Sequence, residues 1–149
     1  MNILDNRIIA ILRDVDAENI VDVINALVGG GIISIEIPLN HSTPAAKAAS
    51  LRTIQKSHET FGDQIFLGAG TILSPEEAEA AANAGAKYII SPNMDPEVIK
   101  KTKSLGLASM PGAMTPSEIV DAYKNGADIV KIFPAGNLGT DYILSLIHI

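Results

Sequence analysis

Four stretches of the chain repeat one order of residues: a glycine, a short apolar run, then a proline. They are GGGIISIEIPLN (29–40), AGAKYIISPN (84–93), LGLASMPGA (105–113) and NGADIVKIFPA (125–135), and the closing prolines are Pro38, Pro92, Pro111 and Pro134. Glycine suits the position just past a helix, where a positive φ is often needed. An unbroken apolar run suits a strand buried on both faces. Proline has no N–H to give to a sheet ladder, so it is expected where a strand stops. Two more apolar runs, RIIAILR (7–13) and QIFLGAGT (64–71), fit the same rhythm and bring the predicted strands to six.

Helical patterns lie between these runs. DAENIVDVINALVGG (16–30) sets Ile20, Val23, Ile24 and Leu27 on one face, with Asp16 as the expected N-cap and GGG (29–31) as the stop. SPEEAEAAANAG (74–85) opens with Ser74, then Pro75 at the first helical position and two glutamates in the first turn. DPEVIKKTKSLG (95–106) and TPSEIVDAYKNG (115–126) repeat that design. Strict β-α alternation predicts a parallel sheet with right-handed crossovers. A doubly wound open sheet and a (β/α)8 barrel both satisfy it. The even spacing of Gly85, Gly106 and Gly126, and the lack of a dinucleotide fingerprint after the first strand, favour the barrel. We therefore expect one α/β domain over residues 1–149, a (β/α)8 TIM barrel truncated at its C-terminus to about six β-α units, with strands 7 and 8 missing. DYILSLIHI starts a seventh helix-like segment.

Composition narrows the picture. Apolar residues make up 47% of the chain, yet there are three Phe, three Tyr and no Trp, so the core must be aliphatic. A net charge of −6 without a Lys/Arg cluster argues against nucleic acid and against an anionic membrane surface. With no cysteine, disulfides and thiolate metal sites are excluded. The start, MNILDNRIIAIL, lacks a basic segment followed by a long apolar one, and no apolar run is long enough to span a bilayer, so a cytoplasmic location is expected. His41, His58 and His148 are scattered without metal-ligand spacing, and no metal or cofactor is expected.

The last strand, in DIVKIFPA, raises a chemical question, because it carries Lys131 among apolar residues. One reading is a lysine on an exposed edge with its stem along apolar surface. Another is an amine that attacks a carbonyl. Barrel active sites lie at the C-terminal ends of strands, and the polar residues at those ends are Arg13, Glu36, Thr71, Ser91, Asn93 and Lys131. In the second strand Ile33, Ile35 and Ile37 share one face and Ser34 and Glu36 the other, so Glu36 is expected to point inward. Ile129, Lys131 and Phe133 likewise share a face. Glu36 and Lys131 are either a structural ion pair or a catalytic pair. Arg13 is either a solvated strand end or a ligand, and Thr71 either a helix cap or a ligand. The glycines of GAGTIL are too few for a dinucleotide loop and are expected to let backbone approach a small ligand. A lysine that condenses with a ketone, and a carboxylate that shuttles protons, make a class I aldolase that needs no cofactor.

IIAILR, IEIPLN, GAGTIL, ISPN and VKIFPA stand here in the order and spacing of the KDPG/KHG aldolase family, and the chain resembles that family over about residues 7–143. EIPLN, SPNMDPEVI, and KIFP followed by GTDYI, most resemble its phosphogalactonate branch. The resemblance implies that Lys131 forms the Schiff base and Glu36 is the acid/base. It implies that Thr71 holds the pyruvyl carboxylate and that Pro92 and Phe133 line the site. Asn40 stands where the wider family often carries arginine and is expected among the substrate-binding residues, with Arg13 taking over carboxylate binding. The implied partner is a small phosphorylated keto sugar acid, 2-dehydro-3-deoxy-6-phosphogalactonate, cleaved to pyruvate and D-glyceraldehyde 3-phosphate by a homotrimer. Residues 144–149 depart from the family's usual helix, and a foreign tail is expected there. The alternatives are a KDPG/KHG aldolase of the same family, a non-aldolase phosphate-binding barrel, and a non-catalytic fragment.

Overall fold

The computed structural model describes residues 7–149. Residues 1–6, part of the start read above for a signal peptide, lie outside the described residues. No described helix is long and apolar enough to cross a membrane. The elements alternate as the sequence predicts: β1 (Ile9–Ile11), α1 (Ile20–Gly29), β2 (Ser34–Pro38), α2 (Pro44–Phe61), β3 (Phe66–Gly70), α3 (Pro75–Asn83), β4 (Tyr88–Ile90), α4 (Pro96–Ser104), β5 (Ala108–Met110), β6 (Gly112–Ala113), α5 (Pro116–Lys124), β7 (Lys131–Ile132) and α6 (Gly139–Leu146).

The strands lie side by side in chain order. β1 through β5 form one parallel sheet, and β6 pairs in parallel with β7. β5 and β6 are two halves of one run, parted at Pro111, so this proline interrupts its strand rather than ending it. The backbone carries on past it: Lys131 N donates to Pro111 O at 2.9 Å and Phe133 N to Ala113 O at 3.0 Å. The last strand is shorter than the sequence pattern predicts. Only Lys131 and Ile132 pair as strand, because the chain opposite them offers just two paired positions, Gly112 and Ala113.

Helix ends follow the predicted chemistry. Ser74 Oγ accepts from Glu77 N, Asp95 Oδ1 from Glu97 N, and Thr115 Oγ1 from Glu118 N. Each cap is followed by proline at the first helical position, where its missing N–H goes unnoticed. Asp16 caps a turn that leads into α1, accepting from Glu18 N and Asn19 N, and the helix proper begins at Ile20. α2, the longest helix, is absent from the helices read from the sequence. Its Ala-rich, largely polar pattern has a weak apolar stripe, but Thr43 and Pro44 carry the same start signal, and Thr43 Oγ1 accepts from Ala46 N at 3.0 Å.

Burial divides along the strands with period two. Ile35, Ile37, Leu67, Ala69 and Ile89 face outward and pack on Ile20 and Ile24 of α1, Ile54 and Phe61 of α2, and Ala78 and Ala81 of α3. Phe66, Tyr88, Ile90 and Met110 form a second, inner cluster, against which Ile9, Ala108 and Ile129 are packed. An outer aliphatic layer and an inner face with few, larger residues are the two layers of a barrel wall.

Candidate active site

Glu36 lies on the inner face of β2, opposite Gly68 of β3 in the parallel register. Its residue exposure is 4%, although it is an acid. Burial pushes its carboxyl pKa up, and the charges of Lys131 and then Arg13 pull against that rise. No direct ion pair joins Glu36 to Lys131 or to Arg13 among the described residues. The carboxyl therefore feels two cations without being neutralised by contact.

The room for this carboxyl comes from a missing side chain. A Cβ placed on Gly70 would overlap Glu36 Oε1, and one on Gly68 would overlap the Tyr88 ring. The glycines of GAGTIL thus open space for two protein side chains, Tyr88 and Glu36, a role the sequence reading does not anticipate. Tyr88 is fully buried, stacks on Phe66 with ring centroids 5.0 Å apart, and donates to Ile35 O at 2.8 Å. Its hydroxyl is pushed far above the usual phenol range, mainly by burial and also by the Glu36 charge, so it stays protonated. Aromatic rings below and glycine backbone beside it hold Glu36 in a dry, shaped slot.

Lys131 begins β7, which pairs on one side only among the described strands, and is half-buried. It belongs to no ion pair among the described residues. Its Nζ lies 4.8 Å from the centroid of the Phe133 ring, two residues on and on the same face. Phe133 itself is 40% exposed. Pro92 follows β4 and its carbonyl sits where a Cβ on Gly112 would be, so two strand ends approach closely there.

The remaining predicted residues meet on the α2 side of the sheet, in a cavity also lined by the outward-facing Ile37 and by Ala49 and Thr53 of α2. Arg13, Asn40 and Thr71 line this cavity of about 880 Å³ together with Asp14 and His41. Glu36, Lys131, Pro92 and Phe133 do not line it. Asn40 is held at both ends of its amide: Nδ2 donates to Asp14 Oδ1 at 3.4 Å and Oδ1 accepts from Ser42 N at 3.0 Å. Thr71 follows β3 with φ +56°, an outlier for a β-branched residue. The sequence reading passes over Gly70 and Tyr88 as shapers of the slot. It passes over His41 as well, whose partners are far apart in sequence. The strand register of GAG against IEI was the available signal for Gly70; no spacing marks His41.

A buried acid on β2 that feels the charge of a half-buried lysine on β7 agrees with a match of residues 2–148 to the family model described as KDPG and KHG aldolase. The chain belongs to this family. It is 34% identical over 139 residues to the 2-dehydro-3-deoxy-6-phosphogalactonate aldolase of Escherichia coli (strain K12), covering 93% of this chain and 65% of that one. The chain therefore spans somewhat less than two thirds of that relative's length. A solved native KDPGal structure superposes with a TM-score of 0.84 at 33% identity, over 95% of this chain and 66% of the other. A solved KDPG aldolase from Legionella pneumophila, with pyruvate captured at low pH as a covalent carbinolamine intermediate, superposes with a TM-score of 0.81 at 28% identity, over 93% and 64%. Aldolases of this family are TIM-barrel-like, and the parallel arc of this chain is the corresponding part.

Proposed function

We propose that this chain carries the reacting part of a class I aldolase that cleaves 2-dehydro-3-deoxy-6-phosphogalactonate to pyruvate and D-glyceraldehyde 3-phosphate. Lys131 Nζ attacks the C2 carbonyl carbon, and the carbinolamine loses water to give an iminium ion. Glu36 as carboxylate takes the C4 hydroxyl proton, which breaks the C3–C4 bond. The aldehyde leaves, and the bonding pair moves through C3 into the iminium, giving an enamine. Glu36 assists the proton transfers of dehydration and returns a proton to C3, after which water releases pyruvate and the free lysine. The iminium is the electron sink, so no metal or organic cofactor enters. Arg13 and Thr71 hold the pyruvyl carboxylate, Pro92 and Phe133 bound the reacting carbons, and Asn40 positions the loops around them. A cytoplasmic homotrimer is the assembly the family resemblance implies.

The observation that carries the proposal is Glu36 itself: a buried carboxyl with a raised pKa, set near Lys131 but not paired with it. A contact ion pair with Lys131 would favour a structural role for Glu36, and none joins them among the described residues. The carbinolamine captured in the Legionella relative and the phosphogalactonate activity in the name of the E. coli relative support the substrate class. The test is borohydride reduction in the presence of pyruvate, read by intact mass. Wild type is expected to gain one pyruvate-derived adduct, located on Lys131 by peptide mapping and lost in Lys131→Met. A folded chain that gains no adduct would refute the Schiff-base reading.

A further inference from the structure

His41 plays no part in the chemistry above, yet its ring reaches Thr71, one of two residues lining the cavity at positive φ, the other being Asp14 at φ +58°. Thr71 stands at φ +56°. A β-branched residue keeps such a conformation only where its surroundings over-determine it. Those surroundings are traceable here. His41 Nε2 lies 2.8 Å from the carbonyl oxygen of Thr71. A carbonyl only accepts, so Nε2 carries the proton and donates. The other ring nitrogen, Nδ1, faces Glu77 Oε1 at 3.6 Å. Glu77 accepts from Leu73 N at 2.9 Å and from Lys47 Nζ at 2.8 Å. The turn at 71–73 is thus gripped at the carbonyl of one residue and at the N–H of another, by two side chains that face each other. His41 sits in the loop after β2, Lys47 on α2 and Glu77 on α3, so three elements converge on one short turn.

We infer that His41 is the positioning residue for Thr71. It holds the left-handed turn after β3, and so keeps Thr71 against the cavity shared with Arg13 and Asn40. This inference rests on the reading of Thr71 as a ligand of the pyruvyl carboxylate. Without the ring, residue 71 relaxes toward an ordinary φ, and a ligand that was ordered in advance must be ordered on binding. The signature is weaker pyruvate binding with the saturating rate retained. Glutamine supplies an N–H donor at about the reach of Nε2, so it restores what alanine loses.

Wild type, His41→Ala, His41→Gln and Thr71→Ala are titrated with pyruvate under borohydride and the adduct is counted by intact mass. His41→Ala is expected to raise the pyruvate concentration for half-maximal trapping roughly five- to tenfold, the worth of one hydrogen bond, with the saturating rate within about twofold. His41→Gln returns to within about threefold of wild type, and Thr71→Ala is weakened at least as much as His41→Ala. If Thr71→Ala weakens trapping and His41→Ala does not, the positioning role is wrong while the carboxylate reading stands. If neither variant moves, or wild type forms no adduct, the reading of Thr71 falls and the inference falls with it. Loss of both affinity and saturating rate in His41→Ala, without rescue by glutamine, would mark His41 as a folding residue and overturn the inference. Should His41→Ala not fold, ¹⁵N NMR of the wild-type ring decides: an Nε2–H signal is expected, and a neutral ring protonated at Nδ1 instead would rule the donation out.

Discussion

Glu36 carries a stability effect of its own besides the acid/base role proposed for it. Its carboxyl is buried and its pKa raised, so the folded state binds its proton more tightly than the unfolded state does. The sign follows: this group's stabilising contribution is full below the ordinary glutamate value of 4.5 and is lost as pH rises through the folded pKa. Glu36→Gln removes an acid that is costly to ionise. At pH 7 it is expected to melt at a higher temperature than wild type, and the gap should close as pH falls through the carboxylate range. Equal melting curves at neutral pH would show that burial costs this acid nothing. The same variant should slow deuterium exchange at the pyruvate methyl group by roughly 10²–10⁴-fold, the usual contribution of a positioned acid/base. Gly70→Ala tests the slot without touching the carboxyl. Its Cβ would overlap Glu36 Oε1, so exchange should slow while the borohydride adduct still forms. Unchanged exchange in Gly70→Ala would mean the carboxyl can sit elsewhere and still work.

The helix starts carry the most readable physics among the elements. Thr115 and Glu118 form a reciprocal cap: Thr115 Oγ1 accepts from Glu118 N at 3.3 Å, and Glu118 Oε2 accepts from Met114 N and Thr115 N, each at 2.8 Å. Those backbone donors hold the Glu118 carboxyl below its ordinary range. Since a lowered carboxylate pKa stabilises above the unfolded value, the cap weakens only as pH falls through the folded pKa. Thr115→Ala is expected to cost about 1 kcal/mol in urea unfolding at pH 7, and Thr115→Ser to cost much less. A loss as large in serine as in alanine would point to the methyl group rather than the hydroxyl. α2 teaches the converse. Its start signal is as good as the others, but its apolar positions are sparse, because the helix meets the sheet through only a few residues such as Ile54 and Phe61.

The described strands form an open arc at the scale of the whole molecule. β1 has a partner on one side, in β2, and β7 on one side, in β6. Unpaired strand edges favour association through backbone groups. Barrels of this kind have eight strands, and phosphate sites are frequently built by the loops after the seventh and eighth. The E. coli relative is longer, this chain spanning 65% of it. Fusing the remaining third of that relative's sequence to this chain is expected to raise turnover of the phosphorylated substrate well above that of the chain alone, in a coupled assay for glyceraldehyde 3-phosphate. Binding energy from the remote phosphate helps drive the chemical step, so the gain should show in kcat as well as KM. Comparable turnover by both would show that these β-α units suffice.

Local rules determined the alternation of elements, because they act within a few residues. Gly31, Gly85, Gly106 and Gly126 all sit at positive φ just past a helix, and Ser74, Asp95 and Thr115 all cap one. Period two along IEI put Glu36 on the inner face, and the same alternation put Lys131 and Phe133 together. Distances between charges and the emptiness around them lay beyond such rules. That Glu36 and Lys131 stop short of contact depends on how far the wall curves between β2 and β7, a sum over every intervening strand. Gly70 is required by a side chain 34 residues away. His41 finds Thr71 at a sequence separation of 30 only because β2 and β3 lie side by side. Contacts of this kind are set by packing, and packing is a property of the assembled sheet and helices.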